Sequence, residues 1–231
     1  MSSVPSPGAA GAADVRAVLF DLDGTLVDSA PDLAGAANDL RQAHGLPPLP
    51  FGQLRPMVGS GARGMLDAAF GVVPGDPRFD ALRSDFLARY EARMLRETRV
   101  FATIVPVLQA LQRQGLRWGI VTNKIARFSV PVVEGLGLRA HCAVLVSGDT
   151  TAFAKPHPQP LLEAARQLAL APERCIYVGD DLRDVQAGRG ARMPALAAAW
   201  GYLGCGESVQ DWNADAVLAQ PHELLHWLGM A

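Results

Sequence analysis

An unbroken apolar run, Ala17-Val-Leu-Phe20, ends abruptly in Asp21-Leu-Asp23-Gly24-Thr25. A run with neither helical nor alternating periodicity is what a strand buried on both faces of a parallel sheet requires. Such a strand needs helices above and below it, so this stretch predicts an α/β architecture. In open sheets of that kind, ligands bind just beyond the carboxyl ends of the strands, where Asp21 and Asp23 would emerge. Two carboxylates at that point, followed by a glycine turn and a hydroxyl, suit a magnesium ion and phosphoryl transfer.

After Ser29 the strand character stops. Residues 30–44 are alanine-rich and helix-compatible, with Pro31 at the amino end where proline is tolerated. Gly45-Leu-Pro-Pro-Leu-Pro50 breaks that helix, and Val58-Gly-Ser-Gly61-Ala-Arg63-Gly64 is a glycine-rich turn leading into a short helix. Phe79, Leu82, Phe86, Tyr90 and Met94 recur every three or four residues, the stripe of an amphipathic helix. Residues 30–97 therefore read as an all-helical insert.

The second half alternates. Strands are predicted at 116–121, 143–146, 175–178, 194–199 and, more weakly, 216–218, with helices at 105–114, 126–135, 158–170, 182–191 and 222–228. Strands and helices alternating at this length indicate βαβ units. The strand at 15–20 has no partner nearby in sequence and joins the same sheet, with the insert between it and the rest.

Composition narrows the function classes. The chain is 49% hydrophobic and 19% charged with a net charge of −2, which gives no electrostatic case for nucleic acid or an anionic membrane as partner. The longest apolar runs, such as 193–203, are too short to span a bilayer. Residues 1–13 are small, Pro/Gly-rich and uncharged, and read as a disordered tail rather than a signal peptide. Three cysteines without metal-ligand spacing fit a reduced, cytoplasmic setting. Of 21 basic residues, 19 are arginine and only Lys124 and Lys155 are lysine, which raises the question of a specific need for an ammonium.

Four predicted strand ends carry polar clusters: Asp21-Leu-Asp23-Gly-Thr25, Thr122-Asn123-Lys124, Lys155-Pro156 and Gly179-Asp180-Asp181-Leu-Arg-Asp184. All four should converge on one crevice, and both lysines belong to the set. This set resembles the haloacid dehalogenase superfamily of phosphatases in order and spacing from about residue 15 onward. The resemblance implies a Rossmann-like core, residues 14–29 and 98–231, with a mobile helical cap at 30–97.

By the same resemblance, Asp21 is nucleophile and Mg²⁺ ligand, forming an aspartyl-phosphate. Asp180 and the backbone carbonyl of Asp23 complete the metal site. The Asp23 carboxyl protonates the leaving alcohol and then activates water. Thr122 holds phosphate oxygens, and Lys155 offsets the charge of Asp21 and the phosphate. Asn123 either positions phosphate or shapes the turn. Asp181 and Asp184 are either outer supports of the metal or helix caps, and Lys124 has no assigned proton-transfer role.

Within the superfamily, Asp28-Ser-Ala-Pro-Asp-Leu33, Val58-Gly-Ser-Gly61 and Lys155-Pro-His-Pro-Gln-Pro-Leu161 look like the phosphoglycolate phosphatase group. The stretch 61–90, with 118–124 and 178–189, is at least as similar to phosphatases of N-acetylmuramic acid 6-phosphate. Where the first group carries Gly-Asn-Gly, this chain has Gly59-Ser60-Gly61. Both substrates bear a carboxylate, so a cap arginine is expected to bind it, with Arg63 as the candidate. The Asp21/Asp23 pair argues against a dehalogenase, and the absence of lysine from 30–97 argues against a phosphonatase. A phosphosugar mutase uses the same pair, and a non-catalytic regulator would have no use for the complete set. The expected partner is a small phosphate ester; the oligomeric state is not legible.

Overall fold

The computed structural model describes residues 14–230; the tail read at 1–13 lies outside them. Six parallel strands form the central sheet: β1 (Ala17–Phe20), β4 (Arg117–Val121), β5 (Leu145–Val146), β6 (Cys175–Gly179), β7 (Ala195–Ala198) and β8 (Ala216–Leu218), in the spatial order β5-β4-β1-β6-β7-β8. The doubly buried strand expected from the sequence is central, and all four β1 side chains are fully buried. Leu19 lies level with Gly119 on one side and Tyr177 on the other. The chain winds outward from β1 in one direction through β4 and β5, then crosses to β6 and proceeds the other way. That reversal opens a crevice at the carboxyl end of β1.

Helices α5 (Val105–Arg113), α6 (Ala126–Gly135), α7 (Gln159–Gln167), α8 (Leu182–Gly190) and α9 (Glu223–Trp227) follow their strands as expected. Between β1 and α5 the chain forms α1 (Ala30–Ala43), α2 (Phe51–Leu54), a 3-10 turn (Arg55–Ser60), α3 (Gly61–Phe70) and α4 (Phe79–Glu91). These helices bury an apolar cluster of their own, with Leu40, Leu54, Met65, Leu66 and Phe86 fully inaccessible. Phe128 of α6 and Tyr202 reach into that cluster from the sheet side.

The sequence reading missed a two-stranded antiparallel ribbon, β2 (Val27–Asp28) with β3 (Arg99–Val100). Two residues per strand are too few to carry a periodicity. The ribbon joins the chain's departure to the helical segment with its return. Tyr202 fastens the departure: its hydroxyl accepts from the Ser29 and Ala30 amides and donates to Asp28. Asp32 fastens the return. It is fully buried, and its Oδ2 accepts from the Glu97 amide at 2.9 Å and from the Thr98 amide and hydroxyl at 2.8 Å. Arg93 Nε stands 3.5 Å from the other carboxylate oxygen.

Removing that carboxylate strands three donors, while Arg93 keeps Asp39 and Glu97 as partners. Asp32→Ala is therefore expected to destabilise the protein by about 3 kcal/mol or more, read as a lower denaturant midpoint at unchanged slope.

Candidate active site

Lys155 sits at the centre of the crevice with only 3% of its side chain exposed. Its Nζ donates to Asp184 Oδ1 at 2.7 Å, to the Tyr177 hydroxyl at 2.7 Å and to the Val121 carbonyl at 3.1 Å. An ammonium has three protons, and three acceptors take them. The fourth neighbour, Asp21 Oδ1 at 2.9 Å, is held by charge and has no directed hydrogen bond of its own. That oxygen is buried against the ammonium, while the Asp21 side chain as a whole lines the cavity. Burial pushes its pKa up to about 6, with repulsion from Asp184 and Asp23 adding to the shift and Lys155 opposing it.

Asp180 is boxed into place at the end of β6. Thr25 Oγ1 donates to one oxygen at 2.8 Å and the Tyr202 amide to the other at 2.8 Å. Gly24 has φ +85°, and a Cβ on it would lie 2.1 Å from Asp180 Oδ2. Glycine at position 24 is thus required both by the turn and by the carboxylate behind it. Burial, together with Asp21 and Asp184, raises the Asp180 pKa well above the carboxylate range. Oxygens of Asp21, Asp180 and Asp184 all lie within 4.8 Å of one another. Three clustered carboxylates of which one retains an unshared buried oxygen fit a hard divalent cation.

The sequence leaves Asp184 open between metal support and helix cap; the structure shows it capping α8 and holding Lys155. With Asp181 it forms the capping box of α8, while its Oδ1 holds Lys155. Asp23 faces the other way: Lys124 Nζ donates to both of its oxygens, at 3.0 and 2.9 Å, and Ser29 Oγ donates to one. Both lysines of the chain are therefore engaged in this site, each paired with one aspartate of the opening motif. Thr122 is buried at the end of β4 and lines the cavity. Asn123 also lines the cavity, and its amide exchanges two 2.9 Å hydrogen bonds with the Lys155 backbone, which shapes the turn.

The cavity above these residues measures about 270 Å³ and is roofed by α1, α3 and α4. Arg63 does not line it; the side chain is exposed on α3, beyond the glycine turn that does. The reason is helical geometry: Gly61 and Ala62 face inward, and position 63, a further 100° round the helix, faces out. Tyr90 from α4 lies over the Lys124 ammonium, 4.8 Å from nitrogen to ring centre, with its hydroxyl buried and unpartnered. The sequence stripe had marked Tyr90 as apolar packing. Nothing in its spacing distinguished a residue that packs from one that packs and also meets the site.

A family model for haloacid dehalogenase-like hydrolases matches residues 15–192. A phosphoglycolate phosphatase of Xanthomonas campestris pv. campestris is 46% identical over 209 residues, 90% of this chain and 94% of that protein. An N-acetylmuramic acid 6-phosphate phosphatase of Pseudomonas aeruginosa is 41% identical over 217 residues, 94% of this chain and 96% of that protein. In three dimensions, a haloacid dehalogenase-like hydrolase from Streptococcus pneumoniae superposes with a TM-score of 0.79, covering 93% of this chain and 99% of that one at 24% identity.

Asp21 and Asp180 bind protons more readily folded than unfolded, so the metal-free protein loses stability as pH rises from about 4 through the Asp21 pKa of about 6, and Asp180 adds to the loss in the same direction. Its melting temperature is expected to be a few degrees lower at pH 7.5 than at pH 5.5. A divalent cation should reverse that difference, because it competes with protons for the same oxygens. Calorimetry at the two pH values, with and without Mg²⁺, reads both effects.

Proposed function

Since the chain belongs to the haloacid dehalogenase-like hydrolases, we propose that it is a phosphomonoesterase that works through an aspartyl-phosphate on Asp21. The observation that carries this reading is the Asp21 carboxylate, which lines the cavity at the end of the central strand and is held 2.9 Å from a buried ammonium. A phosphate ester is dianionic, so a carboxylate reaches it only where cations offset the repulsion. Lys155 supplies one positive charge. Mg²⁺ is the proposed cofactor, held by Asp21, Asp180 and Asp184 with the Asp23 carbonyl, and it would neutralise developing charge on the phosphoryl oxygens.

In the first half-reaction Asp21 attacks phosphorus and the alcohol leaves, taking a proton from Asp23. In the second, Asp23 receives a proton from the water that attacks the phosphoryl group, releasing phosphate and restoring Asp21. Lys124 and Ser29 fix the direction in which Asp23 points. Thr122 is proposed to hold phosphate oxygens. The segment 30–97 is proposed to act as the cap that excludes water while Asp21 carries the phosphoryl group.

The names of the relatives support a small carboxylated ester as substrate, with phosphoglycolate the first reading. N-acetylmuramic acid 6-phosphate is the second. It is favoured by the apolar roof, where Leu33, Val58, Phe86 and Leu87 offer more surface than a two-carbon acid can cover.

Purified protein with Mg²⁺ is expected to release phosphate from at least one of these two esters. Chelation, or the change Asp21→Asn, should reduce release at least a thousandfold, the scale of losing a covalent nucleophile (about 4 kcal/mol in the barrier). Turnover that persists in either case would sink the mechanism.

A further inference from the structure

Four cationic side chains line the cavity, and three of them are tied down. Lys155 holds Asp21 and Asp184, and Lys124 holds Asp23. Arg183 is forked onto Asp181 and reaches across to the Gly59 carbonyl. The fourth, Arg83 on α4, is exposed and makes no hydrogen bond or ion pair among the described residues. A free guanidinium on a cavity wall is suited to a carboxylate, which it can grip with two parallel hydrogen bonds.

Its position on the helix sets how far that carboxylate must lie from the reacting phosphate. Arg83, Phe86, Leu87 and Tyr90 fall at i, i+3, i+4 and i+7, so one face of α4 runs along the cavity. Tyr90 marks the reacting end through its contact with Lys124, the partner of Asp23. Arg83 is seven residues away, about 10 Å along the axis, and helical side chains lean toward the amino end, away from Tyr90. Between them Phe86 and Leu87 present apolar surface. In a two-carbon acid the carboxyl carbon lies only about 2.5 Å from the ester oxygen, which leaves it at the reacting end.

Resting on the phosphomonoesterase reading, we propose that Arg83 forms a distal anion subsite. It selects phosphate esters whose alcohol carries a carboxylate at the far end of an intervening, partly apolar body of about sugar size. Arg83 takes the part that the sequence suggested for Arg63. The same reading ranks the larger of the two carboxylated esters above phosphoglycolate for this chain.

The test compares N-acetylmuramic acid 6-phosphate with N-acetylglucosamine 6-phosphate, which shares the sugar and phosphate but lacks the carboxylate. In the Mg²⁺-loaded protein, Arg83→Gln is expected to lower the ratio of kcat/KM for the first over the second by about 30-fold, the scale of one lost charge-assisted pair. Arg83→Lys should recover part of the ratio, and Arg63→Gln should leave it within twofold. Equal losses on both esters, an unchanged ratio, or wild-type turnover of phosphoglycolate alone would overturn the subsite while leaving the phosphatase reading intact. A second readout does not depend on turnover: calorimetric binding of N-acetylmuramic acid 6-phosphate to Asp21→Asn, with and without Arg83→Gln. About 30-fold weaker binding in the double variant supports the subsite, and an equal Kd overturns it. Release of phosphate from no ester would instead remove the phosphatase reading, and the binding comparison would still decide the role of Arg83.

Discussion

A single buried ammonium organises this molecule. Lys155 Nζ lies within 3.1 Å of Asp21, Asp184, Tyr177 and the Val121 carbonyl, and so draws together groups from β1, β4, β6 and α8. Burying a charge so completely is costly unless partners surround it. Here they do so to excess: Asp21, Asp180 and Asp184 set three carboxylates against one ammonium, leaving two negative charges uncompensated. Burial, with the mutual repulsion of these carboxylates adding to it, raises the proton affinities of Asp21 and Asp180. A divalent cation would offset the excess charge, which is consistent with the proposed chemistry.

The second lysine connects the sheet to the helical segment. Lys124 grips both oxygens of Asp23 and lies beneath the Tyr90 ring of α4. Arg183 makes a parallel link from α8 to Gly59, and Tyr202 ties the ribbon at the segment's root. The residue proposed to move protons is thus held by a group that also touches the roof. Displacement of α4 would change what faces the Lys124–Asp23 pair, so substrate recognition and proton transfer share one mechanical connection.

The sheet was legible because its strands are buried on both faces, and a featureless apolar run has few other readings. β1, β6 and β7 were located to within about two residues for that reason. The site's aspartates and lysines were legible because each falls at a strand end, where chain direction alone determines convergence. What escaped was whatever depends on the relative placement of helices. The spacing of α4 gave its buried stripe but not the identity of its neighbour, so Tyr90 read as packing and Arg83 as one of many arginines. The glycines around Arg63 drew attention to a loop that does line the cavity, while a rotation of one residue carried that side chain outward. The Asn123 amide, aligned with the Lys155 backbone, belongs to a contact across 32 positions that no local pattern encodes.

These observations join into one account, in which a central strand delivers a nucleophile to a cavity whose roof reads the far end of the substrate. On this mechanism Asp21 itself becomes phosphorylated. The direct measurement is rapid acid quench of the Asp23→Asn variant during turnover with Mg²⁺ and para-nitrophenyl phosphate, whose leaving group needs no proton from Asp23, followed by mass analysis of the peptide spanning 17–41. One added phosphoryl group is expected on Asp21, accumulating because the second half-reaction lacks its base. An unmodified Asp21 peptide while phosphate is still being released would contradict it.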